Sequence, residues 1–338
     1  MPRHDNVLGV GVSRAKRQTP CAAQRPMPSS AKSENFFAWL AFGTMSFVWG
    51  TTYLAIAVAI ETLPTFLFPA LRFILGGIIL MTIRLALGKS LPRGRSSWIY
   101  LAIIGTMMVS IGNVAVVFAE HHMSSGFAAL LVATAPFSMA ALELARSRGG
   151  QRLSGRKLAG TVIGFSGVVI LVAPELQARF ETAFLLSVVI VLVSSLAWNF
   201  GSILSKYNLP PDLDPIISAS IQMIFGGISA SIIGLGLGES FAFQFTARTL
   251  FAFIYLVIFG SVIAYGAYIY ALSKLPTSIV TLHTYINPIV AVFLGWLVLA
   301  EPLKWNAVLA MLVIFSGVAL VQKRSAPRAA VEPANDPA

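Results

Sequence analysis

Residues 182–205, TAFLLSVVIVLVSSLAWNFGSILS, run for 24 positions without one ionisable side chain. A helix rises about 1.5 Å per residue, so this run crosses the roughly 30 Å hydrocarbon core of a bilayer with residues to spare. Outward from it in both directions, apolar stretches alternate with polar breaks. They cover 36–60, 66–87, 98–119, 127–145, 158–173, 182–205, 216–237, 250–272, 279–300 and 305–321. The expectation is an all-α integral membrane protein with ten transmembrane helices. Composition agrees, since only 11% of the 338 residues are charged and 57% are hydrophobic, too few charges to cover a soluble globule.

The formal charge of +11 would suit a nucleic-acid binder, but the placement of the 24 Lys and Arg excludes one. Alternate loops and the C-terminal tail hold fourteen of them, from Arg84, Lys89 and Arg93 through Arg146 and Lys157 to Lys274 and Arg324. The intervening loops hold three, Arg179, Arg248 and Lys304. Basic loops stay on the cytoplasmic side, so this bias puts both termini in the cytoplasm. Residues 1–35 read as a disordered basic cytoplasmic tail with no secretory h-region, and 323–338 as a C-terminal tail. Met27 is a second candidate start. The single Cys21 leaves no disulfide framework and no Cys-based metal cage, and the sequence calls for no cofactor.

The second half repeats the first at an offset of 149 to 152 positions. Trp49 falls on Trp198, Ser46 on Ser195, Gly76 and Gly77 on Gly226 and Gly227, and Arg72 on Gln222. Asn113 falls on Tyr265, Pro136 on Pro288, and the string Phe165–Val168 recurs at Phe315–Val318. Two repeats result, 36–173 and 182–322, with five helices each. An odd helix number forces the copies into opposite orientations, and inverted repeats place solute sites at the midplane where the halves meet.

The same residues carry a family resemblance. The run FAEHHMSSGFAALLVATAP at 118–136 and its partner YALSKLPTSIVTLHTYINPIVAVFLGWLVLAEPL at 270–303 resemble the paired EamA domains of the drug/metabolite transporter superfamily. So do VWG at 48–50 and PALRF at 69–73. Within the superfamily the chain is most similar to the YedA-like permeases. The resemblance implies a ten-helix carrier of the bacterial inner membrane that exports amino acids or other small metabolites without ATP. The second half departs from the first where Leu272 stands in place of Glu120, so a symmetric acidic pair is not expected there.

Polar side chains inside spanning helices are costly, so each is a functional candidate, although many only bond a neighbouring helix. Thr106, Ser110, Asn113 and Glu120 share one face of the third helix. Glu120, beside His121 and His122, is the candidate for proton coupling; the alternative is an interfacial carboxylate. His283 and Asn287 lie at i and i+4, and Pro288 and Pro136 are candidate helix kinks that free backbone carbonyls toward a cavity. Ser261, Tyr265 and Tyr268 share a face of the eighth helix; Ser195, Asn199 and Ser202, with Trp198 beside them, mark the sixth. The expected solute contacts are Trp49, Asn113, Trp198, Asn199, Tyr265, Tyr268, His283 and Asn287. Arg72 could clamp a carboxylate or serve structure, and Glu301 reads as an acid at the N-terminus of the last helix.

The expected partners are a small-molecule solute, lipid and, as coupling ion, protons, with zwitterionic or neutral solutes favoured over polyanions. Oligomeric state is left open. Two alternatives stand beside the carrier. One is an uncoupled facilitator or channel. The other is an intramembrane serine protease built on Gly164-Phe165-Ser166-Gly167 with His283 as base. The recurrence of Phe315-Ser316-Gly317 argues for packing instead. No GxxxxGK[ST] phosphate loop is present to support an ATP-driven pump.

Overall fold

The computed structural model describes residues 29–146, 155–178 and 181–322, and every regular element among them is helical. In order these are α1 (Ser29–Ala59), α2 (Leu67–Ala86), α3 (Arg95–Gly105), α4 (Val114–Glu120), α5 (Ser125–Val132), α6 (Ala135–Arg146) and α7 (Gly155–Ala178). The second half follows as α8 (Thr182–Tyr207), α9 (Pro215–Gly236), α10 (Ala247–Tyr255), α11 (Gly266–Lys274), α12 (Thr277–Val280), α13 (His283–Leu299) and α14 (Trp305–Gln322). The tail residues before 29 and after 322, including Cys21 and Met27, lie outside the described residues, as does Arg179.

Eight helical segments among the described residues are long and apolar enough to cross a membrane. Two further apolar segments, Leu158–Pro174 and Trp305–Val321, are shorter. The outward faces are greasy, and polar side chains are held inside a largely apolar interior. Phe251 is 74% exposed and Ile232 66%, whereas Gln222 and Asn199 are buried to 0% and 1%.

Three local features differ from the sequence expectation. α1 begins at Ser29, inside the stretch expected to be disordered, because 29–35 contains no Pro or Gly to stop the helix before Pro28. α3 passes into α4 through a π-helical segment, Thr106–Asn113, and α10 passes into α11 through another, Leu256–Tyr265. The two segments end on Asn113 and Tyr265, the residues that the repeat superposes. Finally, the expected fourth helix breaks at Ala133 and Thr134, where Thr134 N and Oγ1 both donate to Leu131 O at 3.1 and 2.7 Å. Pro136 thus sits in the first turn of α6, where its fixed φ is favourable, and does not kink a helix interior. Pro288 does lie inside α13.

The halves pack reciprocally. A β-carbon on Gly77 would stand 2.7 Å from Ser220 O in α9, and one on Gly227 2.7 Å from Ala70 O in α2. Such backbone-to-backbone contact is available only to glycine and is a common way for helices to associate in lipid. Gly160 of α7 meets Gly317 O of α14 in the same manner, at 2.6 Å. The paired Phe-Ser-Gly-Val strings are therefore a packing element. Ser166 is exposed with its hydroxyl returned to Ile163 O at 2.7 Å, while His283 is buried, so the protease pairing is not formed.

At the basic end, Asp214 caps α9 by accepting from Ile216 N and Ile217 N at 3.0 and 3.1 Å, and it is ion-paired with Arg84 of α2. Burial would raise the Asp214 carboxyl, but the Arg84 guanidinium and the two amides outweigh it and hold it below its usual value. Its contribution to stability is thus present above the unfolded carboxylate value near 3.8 and is lost as pH falls through the lower folded value. Asp214→Ala is expected to cost about 1–3 kcal/mol. The thermal midpoint of detergent-solubilised protein checks this, and an unchanged midpoint at pH 7 would refute it.

Candidate functional site

A cavity of about 80 Å³ lies between the halves, walled by α1, the π-segment and α4, the α5–α6 break, α8 and α13. Trp49, Asn113, Trp198, Asn199, His283 and Asn287 all line it, so six of the eight expected contacts come together. Tyr265 and Tyr268 do not. Both are fully buried behind the wall, where Tyr265 OH donates to Gln222 Oε1 at 2.9 Å and Tyr268 OH meets Trp198 Nε1 at 3.1 Å and Ser202 Oγ at 2.8 Å. They brace the wall and present no polar group to the cavity.

The aromatic groups form a cage at one side. Trp49 meets Trp198 edge-on at 5.5 Å between centroids, Tyr268 at 5.0 Å and the His283 ring at 5.1 Å. Trp49 Nε1 is anchored on Gly260 O at 3.2 Å. His283 Nδ1 lies 2.8 Å from Val280 O, a contact that requires the proton on Nδ1 and leaves Nε2 as an acceptor.

The opposite side is amide-rich. Asn199 Nδ2 donates to Ala135 O at 2.6 Å and Ser138 Oγ at 2.7 Å, which fills the carbonyl side of the α5–α6 break. The Asn287 amide nitrogen faces two carbonyls, His283 O at 3.0 Å and Ser46 O at 2.9 Å, and its side chain is also a hydrogen-bond partner of Tyr53. Asn113 Oδ1 is buried without a hydrogen-bond partner. Thr52, Tyr53, Ser194 and Thr284 also line the cavity, beyond the contacts expected from sequence. Of these, Tyr53 does carry a sequence signal, being four residues, or one helical turn, beyond Trp49 on the same face.

Glu120 does not reach this cavity. Seven residues beyond Asn113, it lines a second one of about 390 Å³ at the end bearing the 121–124 and 300–304 loops. Both its oxygens are buried without partners, and its charge interacts with Arg72 and Glu301. Around this mouth, His121 Nε2 meets Thr65 Oγ1 at 2.8 Å, and burial together with His122 holds the His121 ring below its usual pKa against the opposing pull of Glu239.

Glu301 is architectural, but not as the sequence implied. Its Oε1 accepts from Ser125 N at 3.0 Å and Ser125 Oγ at 2.9 Å, capping α5 in the other half. At the far end of the molecule Glu143 of α6 bonds Thr277 Oγ1 at the start of α12, so each half ties down the other's helix at one mouth. Lys206 is likewise consumed, donating to Leu272 O and Leu275 O at 2.7 and 2.5 Å. Among the described residues no group of three or more His, Cys, Asp or Glu is placed to hold a metal.

Comparison with known proteins adds to this geometry. Residues 36–173 and 185–322 each match the EamA-like transporter family. The chain is 33% identical over 279 residues to the uncharacterised inner membrane transporter YedA of Escherichia coli (strain K12), covering 81% of this chain and 87% of that protein. It is 27% identical over 296 residues to an uncharacterised transporter of Archaeoglobus fulgidus, covering 85% and 99%. Protein PecM of Dickeya dadantii is 26% identical over 277 residues, covering 81% and 89%. A solved crystal structure superposes with a TM-score of 0.63 at 18% identity, over 86% of this chain and 97% of that one, a likeness of fold.

Proposed function

Because the chain belongs to the EamA-like transporter family of the drug/metabolite transporter superfamily, a family of transporters and not of enzymes, we propose that it is a secondary carrier working by alternating access. It is a multi-pass membrane protein. Our reading has ten crossings, the eight long segments plus the two shorter ones, arranged as two inverted five-helix halves with both termini in the cytoplasm. It sits in the bacterial inner membrane and exports amino acids or other small metabolites.

The observation that carries this reading is the cavity between the halves, to which both repeats contribute an equivalent tryptophan, Trp49 and Trp198. A site faced by aromatic rings and a few amides suits a small, partly apolar solute. Trp49, Asn113, Trp198, Asn199, His283 and Asn287 are the proposed contacts, with Tyr265 and Tyr268 holding the aromatic wall in place. Glu120 is the proposed coupling group, since an unpartnered carboxylate between the central cavity and the mouth is placed to exchange protons with one side only.

The test is purified protein in liposomes preloaded with labelled amino acids, with efflux followed with and without an imposed pH gradient. Saturable efflux that steepens with the gradient, and loses that steepening in Glu120→Gln, is the expected result. Saturable efflux indifferent to pH in the wild type would remove Glu120 from the mechanism and leave an uncoupled facilitator. Unsaturable flux would replace the carrier with a channel.

A further inference from the structure

We infer that Arg72, Asn113 and Glu120 form a binding corner found only in the first half, in which the Arg72 guanidinium takes the carboxylate of the transported solute. The inference rests on the carrier reading above and specifies which solutes it accepts.

A buried guanidinium without acceptors is among the most expensive groups a protein can hold. Arg72 is 1% exposed, yet its Nε and Nη1 have no hydrogen-bond partner, and its neighbour is the face of Phe73 at 4.4 Å. Glu120 interacts with it electrostatically, but the two form no ion pair, and both Glu120 oxygens are themselves unpartnered. Asn113 Oδ1, on the same helix face as Glu120, is a third orphan. A cation, an amide and an anion are thus each left unjoined, the cation and the anion near enough for their charges to interact.

The second half shows that the fold does not need this arrangement. At the equivalent positions it has Gln222, Tyr265 and Leu272. There Tyr265 OH donates to Gln222 Oε1 at 2.9 Å, and Gln222 Nε2 donates to Ser218 Oγ at 2.8 Å and Ser205 Oγ at 3.2 Å. The corner is closed, neutral and satisfied. Its counterpart in the first half lacks the donors and acceptors that a solute would supply.

The corner adjoins the wall of the central cavity. Asn113 and Thr52 line that cavity. A β-carbon on Gly260 would stand 3.1 Å from the Thr52 methyl and 4.0 Å from Arg72 Nη2. The absence of a side chain at 260 therefore lets the guanidinium and the Thr52 side of the cavity wall come close to one another. A guanidinium presents its N–H groups in one plane, the geometry a carboxylate fills. A solute with a carboxylate at Arg72 and an ammonium toward Glu120 satisfies both charges, whereas an uncharged solute satisfies neither.

The test uses full-length protein in liposomes, loaded in separate arms with labelled amino acids, with the corresponding amino-acid amides, and with labelled uncharged sugars and nucleosides. Protein-free liposomes set the leak. The expected result is saturable efflux of the acids in preference to the amides by about 10- to 100-fold, the loss of charge-assisted hydrogen bonds. In Arg72→Gln, which installs the residue used by the second half, that preference collapses to near unity, and Arg72→Lys restores part of it. Gly260→Ala keeps the arginine but presses a methyl between Thr52 and the guanidinium, and it too lowers the ratio of acid to amide.

Equal transport of acids and amides by the wild type would overturn the inference, as would a preference that survives both Arg72→Gln and Gly260→Ala. Saturable efflux of uncharged solutes alone would overturn it while leaving the carrier reading standing. No saturable efflux in any arm would overturn both.

Discussion

Gly105→Leu is expected to abolish recovery of monodisperse protein from detergent extracts. Gly105 lies at the end of α3, where a β-carbon would overlap the Gln222 carbonyl oxygen of α9 and come within 3.0 Å of Gly226 N. The contact is mutual, because Gly226 in turn meets Gly105 O at 2.5 Å. Both obstacles are backbone, so no rotamer change relieves them. Overpacking a well-filled interior costs about 1–3 kcal/mol, and prying two helices apart costs more because each of their other contacts loosens. Gly43, around which nothing lies within 4 Å, supplies the control, and Gly43→Ala is expected to leave yield and thermal midpoint unchanged. A Gly105→Leu protein that elutes as a single species with the wild-type midpoint would refute this account of the packing.

Trp198→Ala is expected to remove saturable transport, by about 100-fold or more, and Trp198→Phe to retain most of it. Trp198 is the wall between the cavity and the buried tyrosines, with its ring 5.5 Å from Trp49, 5.6 Å from Tyr268 and 6.1 Å from Tyr265. Its other face closes on Gly112, where a β-carbon would be 2.9 Å from the ring. Truncation to alanine deletes every one of these contacts at once, and such truncations cost about 3–5 kcal/mol in packed interiors. Phenylalanine keeps the edge-on contacts and loses only the Nε1 bond to Tyr268 OH, worth about 1 kcal/mol. Initial rates in liposomes against reconstituted protein content check the pair. Wild-type rates in Trp198→Ala would place the solute path elsewhere.

Most of the apolar helical segments and much of the central cavity are legible in the amino-acid sequence, for reasons that can be traced to particular residues. Apolar runs bounded by Arg and Lys locate helices because lipid penalises charge and rewards length. Trp49 and Trp198 can be placed together because the repeat relates them, and Asn199, His283 and Asn287 because polar groups at helical spacing in an apolar run need an interior. What cannot be read depends on which partner a group finds. Tyr265 and Tyr268 lie on the expected face, but hydroxyl partners from α8 and α9 turn them into braces. Glu301 sits before the last helix in sequence yet caps α5, since a flexible carboxylate serves whichever helix start is nearest in space. Pro136 signals a disruption without saying whether the helix bends or restarts. The π-segments, Thr106–Asn113 and Leu256–Tyr265, have no residue signature that sets them apart from the apolar helix on either side.

Those π-segments carry a mechanical consequence. A π-turn closes on the residue five back where an α-turn closes on four, so each third helix holds one residue more than its length requires. In an α-helix one residue is about 100° of rotation and 1.5 Å of travel. Converting Thr106–Asn113 from π to α would therefore act as a screw, swinging Glu120 about the helix axis and shifting it along that axis. Leu256–Tyr265 offers the same stroke to the α11 end of the other half. Each half thus holds, at the same place in its third helix, a segment whose change of winding would turn the helix end beyond it.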